Sequence, residues 1–124
     1  MQMSEMFNQQ GTSGLTGLPV DESRDFDSTG IDWQDCGADG FRIKPLFEDS
    51  TAGLCTWLMK VDAGAFSPMH THEEIEQIYV LEGSFYDQDK TYGPGEFIIR
   101  APGAMHSAGS EDGAVVLLFY SPVT

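Results

Sequence analysis

The chain has 124 residues and a mass of 13.6 kDa, which is room for one domain with one hydrophobic core. A hydrophobic content of 40%, with eight Phe and two Trp, is typical of a globular chain and argues against a disordered one. Six Lys and Arg against twenty Asp and Glu give a net charge of −14, so we expect neither a nucleic-acid partner nor membrane association.

The N-terminal part, residues 1–30, is rich in Ser, Gly, Gln, Asp and Thr and shows no hydrophobic period. This predicts a flexible arm, with a single domain over residues 31–124. The arm begins without the pattern of a signal peptide, and no apolar run is long enough to span a bilayer. Cys36 and Cys55 set no disulfide framework. We therefore expect a soluble, cytoplasmic protein with reduced thiols.

From residue 31 onward the sequence predicts short strands separated by turns, with no convincing helix of ten residues or more. In chain order, strands are predicted at residues 41–46, 54–61, 76–81, 84–87, 91–92, 97–100 and 114–120. Many short strands at regular spacing favour an all-β domain, and we predict a small antiparallel β-barrel of jelly-roll type.

The last predicted strand, residues 114–120, is apolar at both odd and even positions. A half-buried strand alternates apolar and polar residues, so this run predicts burial on both faces. Such a strand lies inside a sandwich or against another subunit. We therefore predict a homodimer.

All three histidines of the chain fall in one spacing pattern. His70 and His72 are separated by a single residue, and His106 lies on a separate segment. In a strand, the first two leave the same face about 7 Å apart, which suits two imidazoles converging on one ion. Among the nearby acids, Glu73, Glu74 and Glu76 are all close enough to be ligands, and local chemistry does not choose between them. The residues therefore predict a metal site with its carboxylate unassigned.

This spacing resembles the two sequence motifs of the cupin superfamily. The first motif is matched at every position by Gly64, His70, His72, Glu76 and Gly83. The second is matched by Gly95, Pro102, Gly103 and His106. Ala101 and Ser110 stand where that motif has Pro and Asn, and neither position belongs to the ligand set.

Three further segments, residues 43–49, 80–85 and 100–103, resemble the ChrR-type cupin domain, a group that contains zinc-binding anti-sigma factors. A looser likeness connects the chain to ketone-cleaving iron dioxygenases. The resemblance implies an RmlC-like cupin β-barrel that holds one divalent metal ion. The ligands it implies are His70, His72, Glu76 and His106.

Three imidazoles and one carboxylate leave one or two coordination positions open, as a catalytic site requires. If Glu76 faces inward, Ile78 and Val80 share its face and form an apolar floor. We favour a mononuclear Fe²⁺-dependent dioxygenase, an oxidoreductase acting on a small keto or diketo compound. The alternatives are a non-enzymatic ChrR-like sensor, a Zn²⁺ or Ni²⁺ Lewis-acid isomerase, or a small-molecule-binding cupin; Mn²⁺ is a further candidate metal.

Three residues near the predicted ligands have open roles. Arg100 is the only basic residue near the second motif, and a surface ion pair is favoured over a bond to a substrate carboxylate. Met69 and Met105 adjoin ligands in sequence, and we expect both to fill gaps in the core.

Overall fold

The computed structural model describes residues 14–123. These residues form eleven strands and one turn of 3-10 helix, Ser28–Gly30, and contain no α-helix. The strands are β1 (Leu15–Thr16), β2 (Gln34–Asp35), β3 (Phe41–Asp49), β4 (Leu54–Val61), β5 (Phe66–His70), β6 (Ile75–Gly83), β7 (Phe85–Tyr86), β8 (Thr91–Tyr92), β9 (Phe97–Arg100), β10 (His106–Gly109) and β11 (Ala114–Ser121). Within this part of the chain, no helix is long and apolar enough to cross a membrane.

The strands form two sheets. The larger has the order β1-β3-β4-β11-β6-β9, with β2 also paired to β3, and the smaller has the order β5-β10-β7-β8. All pairs are antiparallel except β1 with β3. Trp57 and Val116 of the larger sheet share one buried core with Phe85 of the smaller. The predicted all-β jelly roll is confirmed.

The barrel is open, since no strand pairing joins the two sheets within residues 14–123. The chain passes from β5 to β6 through the loop at residues 71–74, and from β6 to β7 across Ser84. At both places the backbone leaves one sheet before it enters the other. The sheets are therefore held together by side chains of the core and not by a continuous hydrogen-bond ladder.

The central strand β11 alternates, in contrast to the prediction of burial on both faces. Val116, Leu118 and Tyr120 point into the core, whereas Leu117 is half-buried and Phe119 is 38% exposed. The inner face of β11 is covered by the smaller sheet. Burial of its outer face against another subunit, the other arrangement that the sequence predicts, stays a prediction.

The described part of the predicted arm lies along the larger sheet. In β1, Leu15 is in register with Phe47 of β3, and the Leu18 amide donates to the Asp49 carboxylate at 2.9 Å. Residues 1–13 lie outside the described part of the chain. A flexible arm that ends at residue 30 stays a prediction.

One end of the sandwich is closed by the turn that follows β6. Gly83 has φ of 76°, and a Cβ atom built there would lie 1.9 Å from the Gly113 carbonyl oxygen. The buried Ser110 hydroxyl donates to the Ser84 carbonyl at 2.5 Å and accepts from the Gly113 amide at 2.8 Å. Ser110, which stands where the cupin motif has Asn, thus ties two turns together.

We expect Gly83→Ala to destabilise the fold by about 2 kcal/mol or more, because it adds both a strained backbone and a clash with backbone atoms. Gly93→Ala is the matched control, since a Cβ atom at Gly93 would meet nothing within 4 Å. Urea unfolding of both variants measures the difference. Equal unfolding midpoints would contradict this account of Gly83.

Candidate metal centre

The predicted ligands come from both sheets. His70 ends β5 and lies opposite His106, the first residue of β10. Glu76 lies in β6 of the larger sheet, and His72 lies in the loop that leads into it. His72, Glu76 and His106 are buried, whereas His70 is partly exposed. The site therefore forms where the β5–β6 loop crosses from one sheet to the other.

Three of the four side chains form a tight group. Glu76 Oε1 lies 3.6 Å from His72 Nε2 and 3.6 Å from His106 Nε2. The candidate ligand atoms of these three residues all lie within 4.8 Å of one another. His70 is not in that group, but its ring centroid is 4.4 Å from that of His106. A buried His-Glu-His cluster that could hold a metal ion is therefore present, and ligation by His70 stays a prediction.

Each imidazole is oriented in the same way, with Nδ1 hydrogen bonded to a main-chain carbonyl two residues away. The three pairs are His70 with Pro68 at 2.7 Å, His72 with Glu74 at 3.2 Å and His106 with Ala104 at 3.1 Å. A carbonyl only accepts, so a neutral ring carries its proton on Nδ1 and has a free lone pair on Nε2. This is the usual arrangement of metal-bound histidine.

The four atoms that are predicted to bind a metal have no hydrogen-bond partner although they are buried. They are His70 Nε2, His72 Nε2, Glu76 Oε1 and His106 Nε2. Buried polar atoms are otherwise almost always paired, because an unpaired one keeps the cost of losing its water. Ligands bound at about 2.1 Å to one ion lie about 3–3.5 Å apart, close to the two 3.6 Å distances from Glu76 Oε1 to His72 Nε2 and His106 Nε2. The residues fit a single divalent cation.

Two further side chains, Tyr120 and Arg100, hold the carboxylate of Glu76 in place. The Tyr120 hydroxyl donates to Oε2 at 2.6 Å, and Arg100 Nε lies 3.2 Å from Oε1. Arg100 is only 8% exposed and donates through Nη2 to Asp87 Oδ2 at 3.2 Å. The predicted surface ion pair of Arg100 is therefore wrong, because β9 directs this side chain into the core beside Glu76.

Burial and charge shift the titration of these groups. Burial raises the pKa of Glu76, but the close approach of His72, the hydrogen bond from Tyr120 and the nearby histidine charges more than offset this and lower it. Burial lowers the pKa of His72, yet Glu76 and Glu74 raise it above its usual value. For His106 burial prevails, with help from Arg100, and its pKa falls to about 4.

Of the remaining predictions near the site, one is confirmed and one is wrong. Ile78 and Val80 share the inward face of Glu76 and are buried, as predicted. Met69 and Met105 are about half exposed, so the prediction that they fill core gaps is wrong. Neighbouring positions of a strand point to opposite faces, and Met69 accordingly points away from the side that His70 faces.

The roles of Tyr120 and Asp87 and the strand β10 were not predicted from the sequence. Tyr120 was part of an apolar run, and its partner Glu76 is 44 residues away in the chain. The β10 sequence, His106–Gly109, consists mostly of small residues without alternation. Pairing with β5 and β7 makes it a strand, and no local signal predicts that pairing.

The sequence matches the family described as the ChrR cupin-like domain over residues 23–124. The chain belongs to this family. The match begins inside the predicted arm, at residue 23, and it confirms the cupin resemblance. No curated protein matches the sequence significantly.

Solved structures of cupins share the fold. An RmlC-like cupin from Shewanella frigidimarina is 23% identical, with a TM-score of 0.71 over 82% of this chain and 93% of its own. The polyketide cyclase RemF from Streptomyces resistomycificus is 23% identical, with a TM-score of 0.70 over 81% and 80%. A chain of the Rhodobacter sphaeroides complex of SigE with the anti-sigma ChrR is 23% identical, with a TM-score of 0.64 over 75% and 50%.

We expect metal affinity to fall with acid. At a pH below the raised pKa of His72, this imidazole must lose a proton before it can bind the ion. The log Kd for the metal therefore rises by about one or more for each unit by which the pH falls. The slope becomes steeper as the pH approaches about 4, where His106 also takes up a proton. Competition with a chromophoric chelator for Zn²⁺ at a series of pH values measures this slope. An affinity that stays constant across the series would contradict the assignment of the histidines.

Proposed function

We propose that the protein is a mononuclear metal enzyme that holds one divalent cation and acts on a small molecule. The proposed ligands are His70, His72, Glu76 and His106. The observation that carries this proposal is the convergence of buried ligand atoms of His72, Glu76 and His106. These atoms, like His70 Nε2, have no hydrogen-bond partner. Four protein ligands leave an open position for substrate on a five- or six-coordinate ion.

Within this class we propose a dioxygenase that cleaves a small keto or diketo compound. A ferrous ion at the site would supply the redox chemistry toward O₂ that a zinc ion lacks. Three neutral imidazoles and one carboxylate only partly offset a double positive charge, so the centre would attract an enolate oxygen. Arg100 is already paired with Glu76 and Asp87, which favours binding of such a substrate through the cation. Ile78 and Val80 would exclude water on the side of Glu76.

Aerobic incubation of the Fe²⁺-loaded protein with diketones and aryl ketones, with O₂ consumption followed by electrode, tests this reaction. We expect consumption of O₂ with iron, none with zinc, and a loss of about 100-fold or more in His106→Ala. Glu82→Ala is the control, since Glu82 is an exposed acid at the far end of the same strand. Absence of O₂ consumption with every ketone tested would refute the oxygenase.

Two observations favour other functions. The similarity to a chain of the SigE–ChrR complex favours a metal-binding sensor that contacts a sigma factor. The similarity to a polyketide cyclase favours a redox-neutral reaction with the metal as a Lewis acid. The metal in freshly purified protein separates these candidates, because iron supports oxygenation and zinc supports the other two. Stoichiometric recovery of a sigma factor in a pull-down would establish the sensor.

We also propose that the protein is a homodimer formed through the outer face of the larger sheet, and that it is cytoplasmic. Phe97 and Ile99 of β9, Leu81 of β6 and Phe119 of β11 are exposed and point to this face. Contiguous apolar surface of this kind is common at protein interfaces.

Light scattering at micromolar concentration is expected to give the mass of a dimer. Ile99→Glu should shift the protein to a monomer, because it places a charge within the proposed interface. Val123→Glu is the control, since Val123 is equally exposed but lies beyond the last strand. A monomeric wild-type protein would refute the dimer and leave the proposed chemistry untouched.

A further inference from the structure

The two oxygens of the Glu76 carboxylate have different surroundings. Oε1 faces His72 and His106, whereas Oε2 accepts the hydroxyl of Tyr120. We propose that Tyr120 is a positioning residue that keeps Oε2 away from the cation, so that Glu76 binds it through Oε1 alone. This inference rests on the proposed metal site and adds to it the residue that sets how the carboxylate binds.

The hydroxyl of Tyr120 is fixed in place by the sheet and by its neighbours. Tyr120 and Glu76 are in register on the adjacent strands β11 and β6, and both are buried. The Tyr120 ring packs edge-on against two other rings. Its centroid lies 5.5 Å from that of Trp57 and 5.4 Å from that of His72. A phenol held between a core tryptophan and a candidate ligand has little freedom to move its hydroxyl away from Oε2.

The position of the other carboxylate oxygen, Oε1, is limited by Arg100. Arg100 Nε lies 3.2 Å from Oε1, and the same guanidinium is anchored to Asp87. Asp87 is itself held by the amides of Asp89 and Lys90 through Oδ1, at 2.8 Å and 3.0 Å. Rotation of the Glu76 carboxylate would therefore break the Tyr120 hydrogen bond and displace Oε1 from the anchored guanidinium.

The consequence for metal binding is a single carboxylate oxygen next to the imidazoles. If Oε2 also turned to the cation, the buried Tyr120 hydroxyl would lose its acceptor, which is unfavourable inside a protein. One-oxygen binding leaves more of the coordination sphere free for a substrate than binding through both oxygens. Tyr120 thus acts on the centre through Glu76 and need not touch substrate.

The test compares Tyr120→Phe with Tyr79→Phe. Tyr79 lies in β6 on the outer face of the same sheet, so its substitution removes a hydroxyl without reaching the site. We expect Tyr120→Phe to weaken Zn²⁺ and Co²⁺ binding by about 10–100-fold and to change the visible absorption spectrum of the Co²⁺ protein. Tyr79→Phe should match the wild type in both measurements.

A double-mutant cycle with Glu76→Gln separates positioning from a general loss of stability. If Tyr120 acts through Glu76, Tyr120→Phe should have little further effect on Co²⁺ affinity in the Glu76→Gln protein. Equal effects in both backgrounds, or an unchanged affinity and spectrum in Tyr120→Phe alone, would overturn the inference while the metal site stands. A wild-type protein that binds neither cation would overturn the proposed function and this inference together.

Discussion

A carboxylate that is 99% removed from solvent is the constraint around which this structure is arranged, since Glu76 is only 1% exposed. An isolated buried charge is too costly to keep, so it has to be neutralised by opposite charge and by hydrogen bonds. Tyr120 and Arg100 supply part of this compensation from the two strands that flank β6. The buried imidazoles of His72 and His106 lie on the remaining side of the carboxylate, where the proposed cation would supply the rest.

This need explains why the site lies between the sheets. The larger sheet contributes the carboxylate and its supports, and the smaller sheet contributes His70 and His106 at the paired ends of β5 and β10. Asp87, in the hairpin between β7 and β8, reaches across to Arg100 of β9. Polar contacts thus join the two layers where strand pairing does not. At this end of the described domain, where no strand pairing joins the two sheets, the ion pair between Asp87 and Arg100 connects them.

The parts of the fold that depend on local periodicity were predictable. Strands β4 and β9 were predicted with the bounds that the structure shows. Trp57, Met59 and Val61 of β4 share one parity, and the turn at residues 93–95 precedes β9. The histidine spacing was sufficient to predict a metal site, and the choice of Glu76 needed the cupin resemblance. The supports of the carboxylate could not be predicted, since Tyr120 reaches Glu76 only through the register of β11 with β6. Arg100 was misjudged for the same reason, because its burial depends on a partner outside its own strand.

The two ends of strand β6 belong to different features of the structure. Glu76, near its start, belongs to the candidate metal centre, whereas Gly83, at its end, belongs to the turn fastened by Ser110. Seven positions of extended chain separate them, which is about 23 Å. Loops around the candidate metal centre can therefore change in sequence without disturbing the turn that Ser110 holds at the other end of the strand.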